Sequence, residues 1–334
     1  MNDSERPQDA KSNGPEPFHV RPADPFPEAR PKRQSSELAR RLVTAAVLVP
    51  MVLWVVVEGG LAYLATVMAF ALLGQREFYR LIEDKGATPL DAMGLSFGAA
   101  IVVVAYVGSE YHATILLTAS LLGLMVAQLR KAQIHEALAS ISGTFFGVFY
   151  VSWLLSHAIV LRFFFDSAQL KYPTEDLLSL GFHPDSGIFF MVYVLVCVVF
   201  CDAGAYFAGR AWGRRKLAPR VSPGKTVEGA LGGLLAGCLA GVITKAVFDA
   251  AWPDLSAALP WRLILPSALM LSVAGITGDL VESMLKRDAK VKDAGGLLPG
   301  MGGVLDRIDS PLLAVPLMYY MLLADIFLTV RVGL

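Results

Sequence analysis

The segment between Gly278 and Ser310 carries the densest set of residues that could do chemistry. Two carboxylates, a hydroxyl and an ammonium group occur at i, i+3, i+4 and i+7, in Asp279, Glu282, Ser283 and Lys286. Residues at this spacing lie along one face of an α-helix. Carboxylates suit Mg²⁺, which proteins hold with one or two carboxylates and the phosphates of the substrate. Lysine and arginine suit the phosphates themselves, so the pattern predicts a metal–nucleotide site.

A glycine-rich loop follows this predicted helix. Five glycines fall within residues 295–303. Charged residues flank them, namely Lys292, Asp293, Asp306, Arg307 and Asp309. Glycine lets the backbone approach a ligand closely and adopt positive φ angles. We therefore expect the backbone of this loop to approach a ligand closely, because a merely solvated charged loop would not require so many glycines.

Asp202 is a second candidate residue. It ends an apolar run, and Tyr206 lies four residues later, on the same face of the predicted helix. A carboxylate in an apolar span is costly unless it faces a polar cavity, a partner or an ion. A functional site is therefore the first interpretation, and an ion pair with Arg210 is the alternative.

The stretch Val221–Gly229 offers an anion-binding pattern. It is not a Walker loop, because that motif would need a glycine where Pro219 stands. The sequence predicts a turn at Ser222–Gly224, followed by Lys225 and Thr226 at the start of a helix. A lysine at a helix N-terminus favours phosphate binding. The alternative is an ordinary basic loop beside a membrane.

Helices that cross a membrane must position these residues. The chain of 334 residues is 55% hydrophobic and 17% charged, with a mean hydropathy of +0.54, whereas soluble domains carry about 25% charged residues. Its apolar runs are long enough to cross a hydrocarbon core of roughly 30 Å. We predict an all-α polytopic membrane protein with about nine transmembrane helices, at 42–57, 61–75, 92–108, 113–128, 141–161, 187–209, 227–247, 262–285 and 311–330.

The basic residues predict an orientation. With the N-terminus in the cytoplasm, most of the 29 lysines and arginines fall on the cytoplasmic side, as the positive-inside bias requires. The five exceptions are Arg162, Lys171, Lys245, Arg262 and Arg331. We expect a multi-pass protein of a bacterial inner (plasma) membrane whose site faces the cytoplasm.

Four regions follow from this pattern. Residues 1–36 hold seven of the 19 prolines and few large aliphatic side chains, which predicts a disordered cytoplasmic tail. Membrane helices follow in 37–165, an external loop in 166–186 and the catalytic membrane region in 187–334.

Glycines every fourth residue predict one close helix–helix contact. They are Gly229, Gly233, Gly237 and Gly241.

The segment Gly278–Ser310 closely resembles the signature of the phosphatidate cytidylyltransferases, also called CDP-diacylglycerol synthases. That signature runs Ser-x-x-Lys-Arg, four residues, Lys-Asp, and a glycine-rich stretch ending in Asp-Arg-x-Asp. The matching residues are Ser283, Lys286, Arg287, Lys292, Asp293, Gly302, Gly303, Asp306, Arg307 and Asp309. The stretches around Asp202 and Val221–Gly229 are also similar to the family. Met301 departs from the pattern, because the family usually has a histidine there.

The resemblance implies that phosphatidate attacks the α-phosphate of CTP, giving CDP-diacylglycerol and pyrophosphate for phospholipid biosynthesis. A phosphomonoester has a second pKa of about 6 and is largely a dianion at neutral pH, so the reaction needs no histidine base. Mg²⁺ is the implied cofactor, and a second cation is allowed for. We expect CTP, phosphatidate and membrane lipids as partners and no nucleic acid, and we allow for a homodimer.

The implied roles divide by chemistry. Mg²⁺ is held by Asp279 and Asp306, with Asp202 and Asp309 completing the acidic cluster. Phosphates are bound by Lys225, Lys286 and Arg287. Hydrogen bonds come from Ser222, Thr226 and Ser283. Loop order and closure come from Lys292, Asp293, Gly302 and Gly303, and Arg307 belongs to the nucleotide-binding set.

Three alternatives stay open on the sequence. A CTP-dependent lipid kinase, acting on a polyprenol-type alcohol, would use a similar fold but leave a phosphate on the lipid. A non-enzymatic transporter would place Asp202 and Asp279 along an ion path, yet both lie near the inner edge of their spans and the glycine-rich loop would have no role. The third is a homologue that has lost its chemistry, which Met301 leaves open.

Overall fold

A computed structural model describes residues 34–108, 110–131, 136–297 and 302–332. Long helices dominate this part of the chain. The long helices are α1 (Gln34–Glu58), α2 (Gly60–Asp84), α3 (Asp91–Val107), α4 (Glu110–Gln128), α5 (Ala137–Gly147) with α6 (Leu154–Arg162), α9 (Ser186–Trp212), α10 (Val227–Ala251), α12 (Trp261–Asp288) and α13 (Leu305–Phe327). A π-helical turn, Val148–Trp153, joins α5 to α6, and a second one, Leu328–Val332, follows α13.

Each predicted apolar run coincides with one of these long helical segments. Six of them are long and apolar enough to cross a membrane, among the residues described. Helices α1 and α3 have shorter apolar parts, and charged residues interrupt the second half of α2. The all-α, multi-pass fold is thus confirmed, while the count of nine spans and the cytoplasmic N-terminus stay predictions.

The predicted N-terminal tail falls mostly on residues 1–33, which lie outside the described ranges. Helix α1 begins at Gln34, so the last three residues assigned to the tail are helical. The predicted external loop 166–186 is not featureless, because two short helices, α7 (Phe164–Gln169) and α8 (Thr174–Ser179), cover part of it. A further short helix, α11 (Pro253–Ser256), links α10 to α12.

A two-stranded antiparallel hairpin, β1 (Lys216–Ala218) and β2 (Ser222–Thr226), connects α9 to α10. The predicted turn at Ser222–Gly224 is wrong, since these residues lie in β2. The chain turns instead at 219–221, where the Val221 amide donates to the Ala218 carbonyl at 3.1 Å. Pro219 occupies the second turn position, which favours proline.

The four-residue glycine repeat of α10 packs against α9, as predicted. A Cβ atom added at Gly233 would lie 2.7 Å from the Cys201 carbonyl oxygen, and one at Gly229 would lie 2.8 Å from that of Ala205. Side chains at these positions would force the two backbones apart. The close contact therefore places the C-terminal half of α9, which carries Asp202, beside the hairpin.

Helices α12 and α13 pack along each other, and α13 also contacts α2, α6 and α9. A Cβ atom on Gly278 would overlap the Asp309 carbonyl, so the α12 and α13 backbones are close at this level. Buried side chains such as Leu271 and Leu312 fill the space around them. This contact brings the charged end of α12 to the first turns of α13, which also packs against α2.

Candidate active site

Three carboxylates from two helices converge at the α12–α13 contact. Asp279 and Glu282 of α12 and Asp309 of α13 each present an oxygen within 4.8 Å of the others. The Glu282 side chain is fully buried, and Lys286 is its ion-pair partner. Three carboxylates held this close repel one another, and oxygen donors of this kind fit a hard divalent cation.

Asp279 also joins this cluster to the hairpin. Its carboxylate forms an ion pair with Lys225 of β2 at 2.5 Å, and both side chains are partly exposed, at 25% for Lys225 and 30% for Asp279. The Ser283 hydroxyl, one helical turn later, donates to the same carboxylate at 3.3 Å. Asp279 and Ser283, which helical spacing put on one face of α12, therefore contact each other. Lys225 of the hairpin adds a third group to this pair.

A cavity of about 570 Å³ opens beside Asp279. Its polar lining comes from α9, the hairpin, the start of α10 and α12. The polar lining residues are Asp202, Tyr206, Arg210, Ser222, Lys225, Thr226 and Asp279. The structure thus brings together the Asp202 stretch and the Ser222–Thr226 stretch, which are separate in the sequence.

Thr226, which lines this cavity, is also the N-cap residue of α10. Its hydroxyl oxygen accepts a hydrogen bond from the Gly229 amide at 3.1 Å and so caps the N-terminus of α10. This bond leaves the hydroxyl proton to donate to another group. The helix N-terminus carries a partial positive charge, so Thr226 and Lys225 present an environment that favours an anion.

Asp306 lies on the other side of the acidic cluster, in the first turn of α13. Lys286 donates to its Oδ1 at 2.8 Å, and the Gly303 amide donates to its Oδ2 at 2.7 Å. Lys286 also forms an ion pair with Glu282. Asp306 therefore binds the loop and a lysine rather than joining the three-carboxylate group, and its role as a metal ligand stays a prediction.

Gly302 is a position in this loop where backbone geometry demands glycine. Its φ angle is +84°, and an added Cβ would lie 2.6 Å from Asp306 Oδ2. L-residues with side chains rarely adopt this φ region. Gly302 thus allows the chain to turn into α13 while Asp306 keeps its bond to Gly303.

The remaining predicted residues occupy supporting or exposed positions. The Arg287 guanidinium donates to the carbonyls of Val221 at 3.4 Å and Val291 at 3.2 Å, so it ties the hairpin turn to the loop after α12. Lys292, Asp293 and Arg307 are exposed. Residues 298–301, with Met301, lie outside the described ranges.

Two acidic residues were missed by sequence reasoning. Glu282 was placed on the reactive stripe of α12, but it was given no role. Glu77 of α2 was not considered at all, although its carboxylate accepts a hydrogen bond from the Leu305 amide at 2.8 Å. Helical spacing could have assigned Glu282 to the cluster, whereas no sequence pattern links Glu77 to a loop more than 200 residues away.

Comparison with known proteins identifies the family. The model of the cytidylyltransferase family matches residues 39–324. The chain belongs to this family. A phosphatidate cytidylyltransferase of Synechocystis sp. is 31% identical over 294 residues, or 84% of this chain and 95% of the relative. One of Brucella suis is 33% identical over 284 residues, or 85% and 93%, and one of Pseudomonas aeruginosa is 52% identical over 126 residues, or 38% and 44%.

These matches confirm the predicted family and the enzyme class, a membrane-embedded nucleotidyltransferase. The match spans the helices that carry the cavity and the acidic cluster as well as most of the N-terminal helices. The non-enzymatic transporter therefore loses its support.

Proposed function

We propose that this protein transfers the cytidylyl group of CTP to phosphatidate, producing CDP-diacylglycerol and pyrophosphate. One structural observation carries the assignment of the site. The Lys225–Asp279 ion pair joins a cavity rich in phosphate-binding groups to a three-carboxylate cluster that fits a cation. A nucleoside triphosphate with its metal requires phosphate-binding groups and metal-binding carboxylates side by side.

The reaction needs positioning and charge compensation more than proton transfer. A phosphate oxygen of phosphatidate forms a bond to the α-phosphorus of CTP, and the bond from that phosphorus to the bridging oxygen of the β-phosphate breaks. The electron pair leaves with pyrophosphate. Because the attacking phosphomonoester is largely a dianion at neutral pH, no base has to remove a proton.

Asp279, Glu282 and Asp309 are our proposed ligands for Mg²⁺. When bound, the cation compensates the negative charge that accumulates on the phosphates. Lys225 would then be available to bind phosphate, together with the amide end of α10 and the Ser222 and Thr226 hydroxyls. Lys286 keeps Glu282 and Asp306 in place. Ligation by Asp202 or Asp306, a second cation and a homodimer stay predictions.

The lipid substrate approaches along α9. Large apolar side chains of this helix are exposed within about one helical turn of Asp202 and Tyr206, including Val199, Phe200 and Phe207 at 59%, 53% and 68%. In a membrane these side chains face lipid, so the acyl chains can stay in the bilayer while the head group enters the cavity beside Asp202. The positive-inside bias, which favours a cytoplasmic N-terminus, also supports an opening on the cytoplasmic side.

Isotope transfer tests the proposal. The purified protein in detergent is incubated with phosphatidate, Mg²⁺ and CTP labelled at the α-phosphate, and the lipid fraction is counted. We expect label in the lipid, release of pyrophosphate, and loss of both with EDTA. Label reaching a lipid alcohol from γ-labelled CTP, with none transferred from the α-position, would overturn the proposal in favour of the lipid kinase.

A further inference from the structure

We propose that Glu77 of α2 is a positioning residue for the transfer reaction, although it lies outside the residues that contact substrate. Its carboxylate accepts a hydrogen bond from the beginning of α13 and lies between Gly295 and Gly303, the two ends of the glycine-rich loop. It thereby sets Asp306 opposite Lys286 and Asp309 beside Asp279. The inference rests on the proposed function, because the positioned groups are those that we assign to the cation and the phosphates.

The carboxylate of Glu77 occupies the N-terminus of α13. The Glu77 side chain is nearly inaccessible, at 3% exposure, and its Oε2 accepts the hydrogen bond from Leu305, the first residue of that helix. The first amides of a helix have no partner within the helix, and a negative charge is favourable there. Glu77 therefore fixes where α13 starts.

The same carboxylate explains two glycines of the loop. A Cβ atom at Gly303 would lie 2.5 Å from Glu77 Oε2, and one at Gly295 would overlap Glu77 Oε1. Both positions must be empty of side chains for the carboxylate to enter between them. The sequence suggested that Gly303 makes room for a nucleotide, whereas the structure shows that it makes room for Glu77.

From Glu77 the contacts lead directly to the reactive groups. Gly303, which borders the Glu77 carboxylate, donates its amide to Asp306 at 2.7 Å, and Asp306 in turn accepts from Lys286 at 2.8 Å. Lys286 forms the ion pair with Glu282 of the acidic cluster. A displaced Glu77 would therefore shift both the lysine and the first turns of α13, which carry Asp309.

A purely structural cap is the competing role, and Gln75 provides the matched control. Gln75 lies two residues earlier on α2 and is fully buried. Its amide donates to Tyr79 at 2.6 Å and to the Gly94 carbonyl at 2.8 Å, so within the described ranges the hydrogen bonds that it donates go to α2 and α3 rather than to Gly295 or Gly303. Gln75→Ala should destabilise the same helix packing without moving the acidic cluster.

The experiment compares Glu77→Ala, Glu77→Gln and Gln75→Ala in the full-length protein in detergent micelles. Turnover is corrected for the folded fraction, and binding of Mn²⁺ is measured separately by electron paramagnetic resonance without substrate. We expect Glu77→Ala to lose about tenfold or more in kcat, since misplacement by about 1 Å can cost as much as 10²-fold, and to bind Mn²⁺ more weakly. Glu77→Gln, whose amide oxygen can still accept from Leu305, should recover most of both.

A substitution in the loop tests the same contact between Glu77 and Gly295. Gly295→Ala places a methyl group against the Glu77 carboxylate, and its effect on kcat should not add to that of Glu77→Ala. This variant also serves if Glu77→Ala fails to fold. Wild-type kcat and Mn²⁺ binding in folded Glu77→Ala or Gly295→Ala, or an equal loss in Gln75→Ala, would overturn the proposal. Failure of the proposed function would instead appear as an inactive wild-type protein.

Discussion

The two sides of the site hold their charges differently. On the cavity side, Lys225 and Asp279 form one ion pair and remain a quarter or more exposed. On the loop side, Lys286 contacts both Glu282 and Asp306, and the side-chain exposures are 12%, 0% and 7%. A single partly exposed pair can exchange its partner for a ligand, whereas a buried network would lose several contacts at once. We infer that the cavity side binds substrate and that the loop side fixes geometry.

Asp279 belongs both to the ion pair of the cavity side and to the three-carboxylate cluster, so its loss should have the largest effect. Asp279→Asn removes a cation ligand and the partner of Lys225. We expect kcat to fall by about 10³-fold or more, as for other removals of essential charge stabilisation, with a folded protein by thermal unfolding. Asp288→Asn is the control, because Asp288 ends the same helix but pairs with Lys85 at the surface. Activity near that of the wild type in Asp279→Asn would contradict the cation assignment.

Lys286→Ala should lower the free energy of unfolding, which distinguishes the loop side from the cavity side. It leaves the buried Glu282 and Asp306 without their cation, and breaking such a buried pair costs about 3–5 kcal/mol. The measurement is the free energy of unfolding in detergent. Lys85→Ala, which breaks an exposed pair with Asp288, should cost less than about 1 kcal/mol. Equal losses in the two variants would mean that the loop side is not a structural network.

Lys225→Ala should show the opposite behaviour, with little change in stability and a large change in catalysis. Loss of a charged hydrogen-bond donor to phosphate is worth about 1.5–3 kcal/mol, so kcat/KM should fall by about 10- to 100-fold. Initial rates at varied CTP and phosphatidate concentrations measure this change. Lys216→Ala, on the facing strand of the hairpin and exposed, should keep wild-type kinetics. If Lys225→Ala lowered the stability but left kcat/KM unchanged, the cavity side would be structural and our comparison of the two sides would be wrong.

Arg210→Ala should have the smallest effect of the four. Arg210 lines the cavity, is exposed and donates to the Tyr206 hydroxyl at 3.2 Å. Exposed charge interactions contribute about 0.2–1 kcal/mol, so we expect KM for one substrate to rise by less than about fivefold, and less at high salt. Arg214→Ala is the matched control outside the cavity. An effect as large as that of Lys225→Ala would make Arg210 a principal phosphate ligand.

Local periodicity was sufficient for the long helices and for the acidic stripe of α12, but not for the hairpin between α9 and α10. Apolar runs identified the long helices, because a membrane span must be apolar over its whole length. The four-residue glycine repeat predicted a close helix contact on one face of α10, which the structure makes with α9, and helical spacing put Asp279, Glu282 and Ser283 on one stripe of α12. These features depend on residues within one helix, so the order of residues is enough to predict them.

Tertiary structure alone decided how that stripe is completed. The packing of α13 on α12 brings Asp309 to Asp279 and Glu282 but turns Asp306 toward Lys286, although both aspartates lie in the same short motif. The hairpin supplies Lys225, and α2 supplies Glu77 from the opposite end of the chain. Such contacts depend on the phase and approach of whole helices, and no periodicity within one segment encodes them. The sequence by itself therefore determined the chemistry that is present, and the packing of α2, α12 and α13 decided which charges meet.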